Sequence, residues 1–415
     1  MTQSRRRFLA RSAAAAASAA AAGSLPTAAH AIQQATNGLA SEPGVAYEPW
    51  LEIDAGALLN NARELGRLAG GRPVLAVVKN NAYGLGVQRV GPILDRAPEV
   101  VGFAVVKPEE AVALRDAGVR KPILVMALVT PADGAELARQ GIQLAACTPD
   151  APELVAEIAR RIGGPVPVHL YFYVDTGMSR MGVAYHRALP WIERFASRND
   201  VQVKGTFTGF AEDDAFDPEQ LDRFRRLAAD AKGRGLRLGR LHAASSHAIF
   251  FRGNAALLDM VRPGLTLYGA YPDGPIQKEK ATLRPACRLR AMVVRVERLR
   301  PGDSVSYGRN YIAEHPTWIA TLPVGHVDGV SRDAVDGCEV LIGDRFYPVI
   351  GAVSASHTIV EVGTEQTVRI GDVATLVGSD DPAIHPNTVA KRSGASVYDV
   401  LMHMSALLPG RVVAA

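Results

Sequence analysis

A lysine that follows an apolar strand is the first residue in this sequence that could carry out chemistry. Residues 74–78 form a short, uninterrupted apolar run, which is typical of a parallel strand buried on both faces, and Lys79 comes directly after it. A lysine beside a low-dielectric core favours its neutral amine, which is a nucleophile for carbonyl groups. The alternative interpretation is a lysine that extends its ammonium group to solvent at the rim of the fold.

Four further segments carry residues that could bind or activate a small molecule. Together with the lysine segment they span residues 76–84, 175–182, 260–269, 305–308 and 323–329, with the sequences AVVKNNAYG, DTGMSRMG, MVRPGLTLYG, VSYG and PVGHVDG. In order and content these segments resemble the motifs of the alanine racemases, over roughly residues 48–410. One match could arise by chance, whereas five collinear matches are highly specific.

The resemblance implies a pyridoxal 5'-phosphate enzyme that interconverts the L and D forms of alanine, or of a broader set of small amino-acid substrates. Racemisation removes a proton from Cα and returns one on the opposite face, so it needs two bases. The resemblance assigns these roles to Lys79, which also holds the cofactor, and Tyr307. In the family the tyrosine comes from the partner subunit, which implies a homodimer with shared active sites.

The resemblance also assigns the residues that hold the cofactor and the substrate. Arg262 corresponds to the arginine that faces the pyridine nitrogen, and Arg180 to the one near the phenolic oxygen and the substrate carboxylate. The residues that map to phosphate contacts are Tyr83, Ser246, Gly264, Leu265 and Tyr398. Backbone N–H groups at the glycine and the leucine suit an anion because they donate without bulk.

The sequence departs from the family beside the cofactor. Tyr173 stands where the family has a lysine, often carbamylated, that is set against Arg180. Arg180 therefore needs another partner, either an anion or an acidic side chain. Gly209 replaces a histidine expected beside the cofactor ring, and Ser245 replaces an asparagine next to Ser246.

A second set of departures falls on the substrate pocket. Ala355 and Ser356 replace a methionine–aspartate pair, and His326 replaces a tyrosine. The cofactor residues are thus kept while the substrate wall carries smaller, uncharged side chains. We expect a wider pocket that accepts side chains larger than methyl; repacking of the β domain into the space is the alternative.

Two other functions remain open from the residues. One is a pyridoxal-phosphate-dependent lyase on the same scaffold, either a decarboxylase or a D-amino-acid aldolase; the aldolase would need a metal site. The other is a cofactor-binding homologue without turnover. His242 and His247 are five residues apart, which is not a sensible spacing for a ligand pair, so we interpret them as core or rim histidines.

The elements that must position these residues alternate between strand and helix in the first part of the chain. Repeated β/α units predict a (β/α)8 TIM barrel over residues 47–285, and short strands punctuated by Gly and Pro predict a C-terminal β-rich domain over 286–415. A doubly wound sheet is the competitor, but its dinucleotide fingerprint is absent: after Gly84 and Gly86, Arg89 stands in place of the third glycine.

The N-terminus predicts an export signal. Residues 1–31 contain three consecutive arginines from Arg5, an Ala-rich stretch and a small-residue cleavage site, a pattern that resembles a twin-arginine signal peptide, and residues 32–46 read as a linker. The protein is therefore expected to be exported to the periplasm, with no membrane span. Without the four arginines of the signal, the chain has 42 Lys+Arg and 42 Asp+Glu, so we expect no nucleic-acid partner.

Overall fold

The computed structural model describes residues 48–273 and 277–413. The predicted signal peptide, residues 1–31, and the predicted linker, residues 32–46, lie outside the described residues. Within them, one hydrophobic core runs through a parallel barrel and a β-rich sheet. A smaller apolar cluster lies apart from it in the second half of the chain and consists of Leu299, Val305, Ala313, Ile319 and Ile350.

Seven of the first nine strands of the chain form the barrel. The strands are β1 (Trp50–Asp54), β2 (Val74–Val77), β3 (Val100–Val105), β4 (Ile123–Val125), β5 (Gln143–Ala146), β6 (Val168–Asp175), β7 (Val183–Ala184), β8 (Val201–Phe207) and β9 (Arg240–His242). Seven of them pair in the order β2-β3-β4-β5-β6-β8-β9, all parallel, and β7 pairs with β6. Most of their residues are buried, as the apolar runs predict.

An extended segment at residues 259–263 takes the place of an eighth strand and closes the barrel. On one side the Leu75 N–H donates to the carbonyl of Val261 at 2.8 Å, and the Val77 N–H donates to that of Pro263 at 2.9 Å. On the other side the Arg262 N–H donates to the carbonyl of Ala244, also at 2.8 Å. The predicted eight-stranded barrel is confirmed, and Arg262 lies on this closing segment.

Amphipathic helices cover the barrel. They are α1 (Ala55–Leu68), α2 (Val87–Asp95), α3 (Pro108–Asp116), α4 (Pro131–Arg139), α5 (Ala151–Ile162), α6 (Tyr185–Ala196), α7 (Asp217–Gly233), α8 (Ser246–Phe251) and α9 (Gly253–Leu257). Asp54 begins the first of them, because its carboxylate accepts the Ala57 N–H at 2.8 Å. The unit formed by β5 and α5 continues the alternation of strand and helix around the barrel.

The C-terminal part forms a nine-stranded sheet that is mainly antiparallel. Its strands are β10 (Cys287–Met292), β11 (Arg295–Leu299), β14 (Thr317–Leu322), β15 (Glu339–Ile342), β16 (Arg345–Ile350), β17 (Thr358–Gly363), β18 (Val373–Val377) and β19 (Gly410–Val413), joined by β1. The ninth strand differs from the sequence prediction: β1 lies in the range predicted for the barrel, yet it pairs with β10 and β19.

Short elements complete this part of the chain. β12 (Ser304–Val305) and β13 (Tyr311–Ile312) form a small separate hairpin. Two helices, α10 (Pro386–Arg392) and α11 (Val397–Met402), lie between β18 and β19 in the chain. All three cysteines, Cys147, Cys287 and Cys338, are buried as free thiols.

Candidate active site

Lys79 lies at the C-terminal end of β2, the end of a barrel strand where active-site residues are found. Its side chain is half-buried. Burial lowers the pKa of the Lys79 ammonium, the cations of Arg180 and Arg262 lower it further, and the carboxylate of Glu110 raises it. The neutral amine is therefore available at a lower pH than for an exposed lysine.

The chain after Lys79 makes a left-handed turn. Four consecutive non-glycine residues, from Asn80 to Tyr83, have φ between 53° and 55°. Left-handed helical geometry costs about 1–2 kcal/mol per residue, so other contacts must hold the turn. Glu110, which is 6% exposed, accepts the Asn81 N–H at 2.8 Å, and the Ala82 N–H donates to Val78 at 3.0 Å.

The turn brings the Tyr83 hydroxyl against Gly264. A Cβ at position 264 would lie 2.1 Å from Tyr83 Oη, and because Gly264 has a φ of −121°, this close approach rather than its conformation requires glycine. Ser246 Oγ accepts the Gly264 N–H at 3.0 Å and the Thr266 N–H at 3.3 Å. Tyr83, Ser246, Gly264 and the adjoining Leu265 are thus brought together, as the sequence predicted.

Tyr398 joins this group from α11. Its ring centroid lies 6.4 Å from that of Tyr83, which in turn stacks on Tyr268 at 4.5 Å. Burial raises the pKa of Tyr83 far above its ordinary value and that of Tyr398 to about 12. Both hydroxyls therefore stay protonated and can donate hydrogen bonds to an anion.

Arg262 is held by a histidine and a carbonyl. One guanidinium nitrogen lies 2.8 Å from His242 Nδ1, and another donates to the carbonyl of Thr208 at 2.9 Å. Because a guanidinium only donates, His242 Nδ1 must accept. Burial, with Arg262, lowers the pKa of His242 well below its usual value, so the ring is neutral. Burial lowers the pKa of Arg262 to about 10, which leaves it charged at neutral pH.

His242 is the functional residue that sequence reasoning missed. We interpreted it as a core or rim histidine, and it is fully buried, but its Nδ1 positions the guanidinium of Arg262. Its Nε2 is buried without a partner among the described residues. The sequence signal that could have identified His242 is its position at the C-terminal end of a barrel strand. His242 ends β9, just as Lys79 follows the end of β2.

Arg180 follows β6 and is exposed. The sequence predicted an anion or an acidic side chain as its partner. Within residues 48–273 and 277–413, no acidic side chain forms a salt bridge with Arg180. Its charge instead acts on Lys79 and Arg262, whose pKa values it lowers. The charges of Arg180 and Arg262 thus act on the same region around Lys79, which favours an anionic ligand there.

Tyr307 lies on the C-terminal part of the chain and is 79% exposed. It lies in a turn in which Ser306, Gly308 and Arg309 all have positive φ. Ser306 Oγ donates to the carbonyl of Ala352 at 3.1 Å, which anchors the turn to the segment that leads to Ala355.

His326 and Ala355 lie in two loops that contact each other. The His326 N–H donates to Ser354 at 3.0 Å, and the Val327 N–H donates to Ala355 at 3.2 Å. The side chain of Ala355 is exposed, and His326 Nε2 lies 3.1 Å from a guanidinium nitrogen of Arg332. In the described part of the chain, no hydrogen bond joins these loops or Tyr307 to Lys79. The predicted site residues therefore form two groups. The first group surrounds Lys79 in the barrel, and the second consists of Tyr307, His326 and Ala355 in the C-terminal part.

The described residues contain no group of three or more His, Cys, Asp or Glu side chains arranged to hold a metal ion. None of their helices combines the length and the apolar character needed to cross a membrane.

Comparison with known families explains why these groups occur in one chain. Residues 53–272 match the model of the N-terminal domain of alanine racemase, and residues 286–412 match that of its C-terminal domain. The chain belongs to the alanine racemase family. The resemblance first seen in five motifs is confirmed over both parts of the fold.

Individual members of the alanine racemase family align along nearly their whole length. The alanine racemase of Methanococcus maripaludis is 32% identical over 373 residues, which cover 88% of this chain and 98% of the relative. Alanine racemase 2 of Caldanaerobacter subterraneus subsp. tengcongensis is 32% identical over 367 residues, covering 86% and 93%. The structure of alanine racemase from Streptomyces coelicolor A3(2) superposes with a TM-score of 0.80 at 28% identity, covering 89% and 98%.

Enzymes of the alanine racemase family depend on pyridoxal 5'-phosphate, and the residues of the first group fit this cofactor. Because Gly264 has no side chain, the hydroxyls of Tyr83 and Ser246 gather against its backbone, where they are donors suited to a phosphate. The amine of Lys79 lies among cations that favour its nucleophilic form. Arg262 supplies a charged donor suited to a ring nitrogen.

Proposed function

We propose that this protein is a pyridoxal-phosphate-dependent racemase that interconverts L- and D-alanine. The observation that carries the proposal is the half-buried amine of Lys79, whose pKa is lowered by burial, Arg180 and Arg262, together with the hydroxyls of Tyr83 and Ser246 gathered at Gly264. The family membership of both parts of the chain supports the same function.

Each residue of the first group has a physical task in this function. The cofactor, when bound, supplies the electron sink that makes Cα–H acidic enough for a side chain to remove. Lys79 holds the cofactor and moves the proton on one face of Cα. Tyr83, Ser246 and Tyr398 hold the phosphate together with the backbone at Gly264 and Leu265. Arg262 stays protonated and donates to the ring nitrogen, which limits the strength of the electron sink.

Arg180 completes the set on the substrate side. Its exposed guanidinium has no acidic partner in the described part of the chain, so it is available to a substrate carboxylate and to the phenolic oxygen of the cofactor. Arginine suits this task because its planar group can bind a carboxylate through two parallel hydrogen bonds.

The second base is Tyr307, supplied by a second copy of the chain. With 79% of its surface exposed, Tyr307 has no enclosed site in its own subunit where it could protonate a carbanion away from water. A homodimer in which the Tyr307 turn of one subunit covers the Lys79 group of the other would enclose both bases. The exposed side chains of Ile312 and Val327 belong to the same part of the chain and support an interface there.

The function is tested with purified protein, pyridoxal 5'-phosphate and L-alanine in D2O. We expect deuterium at Cα together with loss of optical rotation. Release of CO2 would indicate a decarboxylase instead, and unchanged alanine would indicate a protein that binds the cofactor without turnover.

We further propose a substrate range wider than alanine. Ala355 and Ser356 carry small side chains beside the loop of His326, and both are exposed in the single chain. Steady-state kinetics on a panel of L-amino acids measure the range, and turnover of alanine alone would contradict it. Replacing Ala355→Met and Ser356→Asp should lower kcat/KM for longer side chains roughly tenfold relative to alanine, since each buried CH2 contributes about 0.8 kcal/mol.

Export to the periplasm remains our proposal for the location of the protein. It is supported by the arginines and the cleavage site of residues 1–31 in the sequence. N-terminal sequencing of protein from a periplasmic fraction should find a start near residue 32. An intact N-terminus on cytoplasmic protein would contradict export.

A further inference from the structure

The two departures from the family beside the cofactor pocket, Tyr173 and Gly209, are neighbours in space. β6 and β8 pair in parallel with Tyr173 opposite Phe207, and Gly209 follows two residues later. A Cβ at position 209 would lie 3.9 Å from Tyr173 Oη and 3.5 Å from Met178 Sδ. The hydroxyl of Tyr173 therefore lies next to Gly209, at the end of the barrel that also carries Lys79 and Arg262.

The backbone does not require glycine at position 209. Gly209 is not among the residues with positive φ, and a Cβ there would make only ordinary van der Waals contacts. A larger side chain would extend beyond Cβ toward Tyr173 and Met178. The space above Gly209 is thus used by the tyrosine from the neighbouring strand.

The Tyr173 ring is held by its neighbours, while its hydroxyl has no hydrogen-bond partner in the part of the chain that the structure describes. The ring packs on Phe207 with centroids 4.3 Å apart, and a Cβ at Gly182 would lie 2.9 Å from its edge. Tyr173 is 7% exposed, and none of the described residues forms a hydrogen bond with its hydroxyl. Tyr173 interacts electrostatically with Arg262 and raises its pKa, against the lowering of that pKa by burial.

We propose that Tyr173 contacts the bound cofactor through its hydroxyl, and that Gly209 makes the room for it, so that the two departures are one coupled change. This inference rests on the proposed function, because it needs pyridoxal 5'-phosphate in the pocket beside Arg262. Tyr173 is then a residue of the cofactor site in addition to those that the motifs identify.

The first test removes only the hydroxyl. Tyr173→Phe should weaken the affinity for pyridoxal 5'-phosphate roughly tenfold, measured by absorbance titration, since a hydrogen bond to a charged group is lost. It should also shift the pH midpoint of the absorbance band of the holoenzyme. The matched control is Tyr347→Phe in β16, where the hydroxyl lies 2.9 Å from Thr367 Oγ1 in the C-terminal sheet; it should leave both readouts unchanged.

The second test measures the coupling. Gly209→His should lower cofactor affinity at least tenfold, because its ring meets Tyr173, while Gly209→Ala should be tolerated. Combining Gly209→His with Tyr173→Ala should recover affinity. The unfolding midpoint of each variant without cofactor should stay within a few degrees of the parent, which separates local changes from loss of the fold.

Three outcomes decide the matter. An unchanged affinity and pH midpoint in Tyr173→Phe would overturn the contact, and strictly additive effects of Gly209→His and Tyr173→Ala would overturn the coupling. Both results leave the proposed function intact if the parent protein exchanges Cα–H in D2O. A parent protein that binds no pyridoxal 5'-phosphate would instead overturn the proposed function itself.

Discussion

Lys79 shows how charges around a single residue prepare it for its task. Burial lowers its pKa most, and the cations of Arg180 and Arg262 act in the same direction. Glu110 opposes them, yet its carboxylate is engaged with the Asn81 N–H at 2.8 Å. At any given pH, a larger fraction of Lys79 than of an exposed lysine is therefore the neutral amine that captures a carbonyl group.

We expect this shift to appear in the rate at which the protein without cofactor captures pyridoxal 5'-phosphate. Because the pKa of Lys79 is lowered, the neutral fraction and the rate should reach half their maximum below pH 10.5, the ordinary value. Arg180→Gln removes a cation and should move the midpoint up. Stopped-flow absorbance against pH measures both.

The control is Arg187→Gln, a change of an exposed arginine on α6, which should leave the midpoint in place. A midpoint at or above 10.5 in the parent protein, or no upward movement in Arg180→Gln, would contradict this account of Lys79.

Individual residues also mark how far the sequence can predict the site. Lys79, Tyr83 and Gly264 could be found because each lies in a motif that resembles a family segment. His242 could not be found in this way, because its contact with Arg262 joins positions 20 residues apart. The contact depends on how β9 packs beside the closing segment at residues 259–263. Local patterns do not encode such a contact.

At the scale of the elements, the left-handed turn after β2 connects the fold to the site. The turn is strained, and it alone carries Tyr83 from the end of the strand to Gly264. Glu110 is the buried group of α3 that holds it, since its two oxygens accept the Asn81 N–H at 2.8 Å and the Lys107 N–H at 3.2 Å. A helix on the barrel surface thus positions the tyrosine that we propose to bind the phosphate.

Glu110→Ala should therefore affect both stability and cofactor binding. Leaving these N–H groups without an acceptor should lower the free energy of unfolding by about 1–3 kcal/mol, and the affinity for pyridoxal 5'-phosphate should fall with it. Urea denaturation and absorbance titration measure the two effects. Glu110→Gln keeps one acceptor oxygen and should lose less.

The neighbouring Glu109 on α3 is exposed and provides the matched control. Glu109→Ala should change neither quantity by more than a few tenths of a kcal/mol. If Glu110→Ala were as stable and bound cofactor as tightly as Glu109→Ala, Glu110 would not hold the turn.

The elements were predicted best where their pattern is local. The buried apolar runs of β2 and β3 and the helical spacing of α1 could be read directly. The strand character of β1 could also be read, but not its partners, because β10 and β19 lie more than 230 residues further along the chain. Register between distant strands depends on the whole core rather than on any segment.

At the scale of the whole molecule, no hydrogen bond in the described part of the chain joins the two groups of predicted site residues. Lys79, Arg180 and Arg262 lie at the barrel mouth, whereas Tyr307, His326 and Ala355 lie on loops of the other part. The sequence could relate all of them to motifs of one family, but their division into two groups follows only from the fold. A second subunit resolves this arrangement if each chain completes the site of the other.

Subunit complementation tests this central claim most directly. Lys79→Ala and Tyr307→Phe homodimers should each be almost inactive, because every site lacks one base. After the two proteins are mixed and exchange subunits, each mixed dimer contains one site with both bases intact. We predict recovery of about a quarter of the parent alanine racemisation at equal concentrations. No recovery, with subunit exchange shown by native mass spectrometry, would contradict the account.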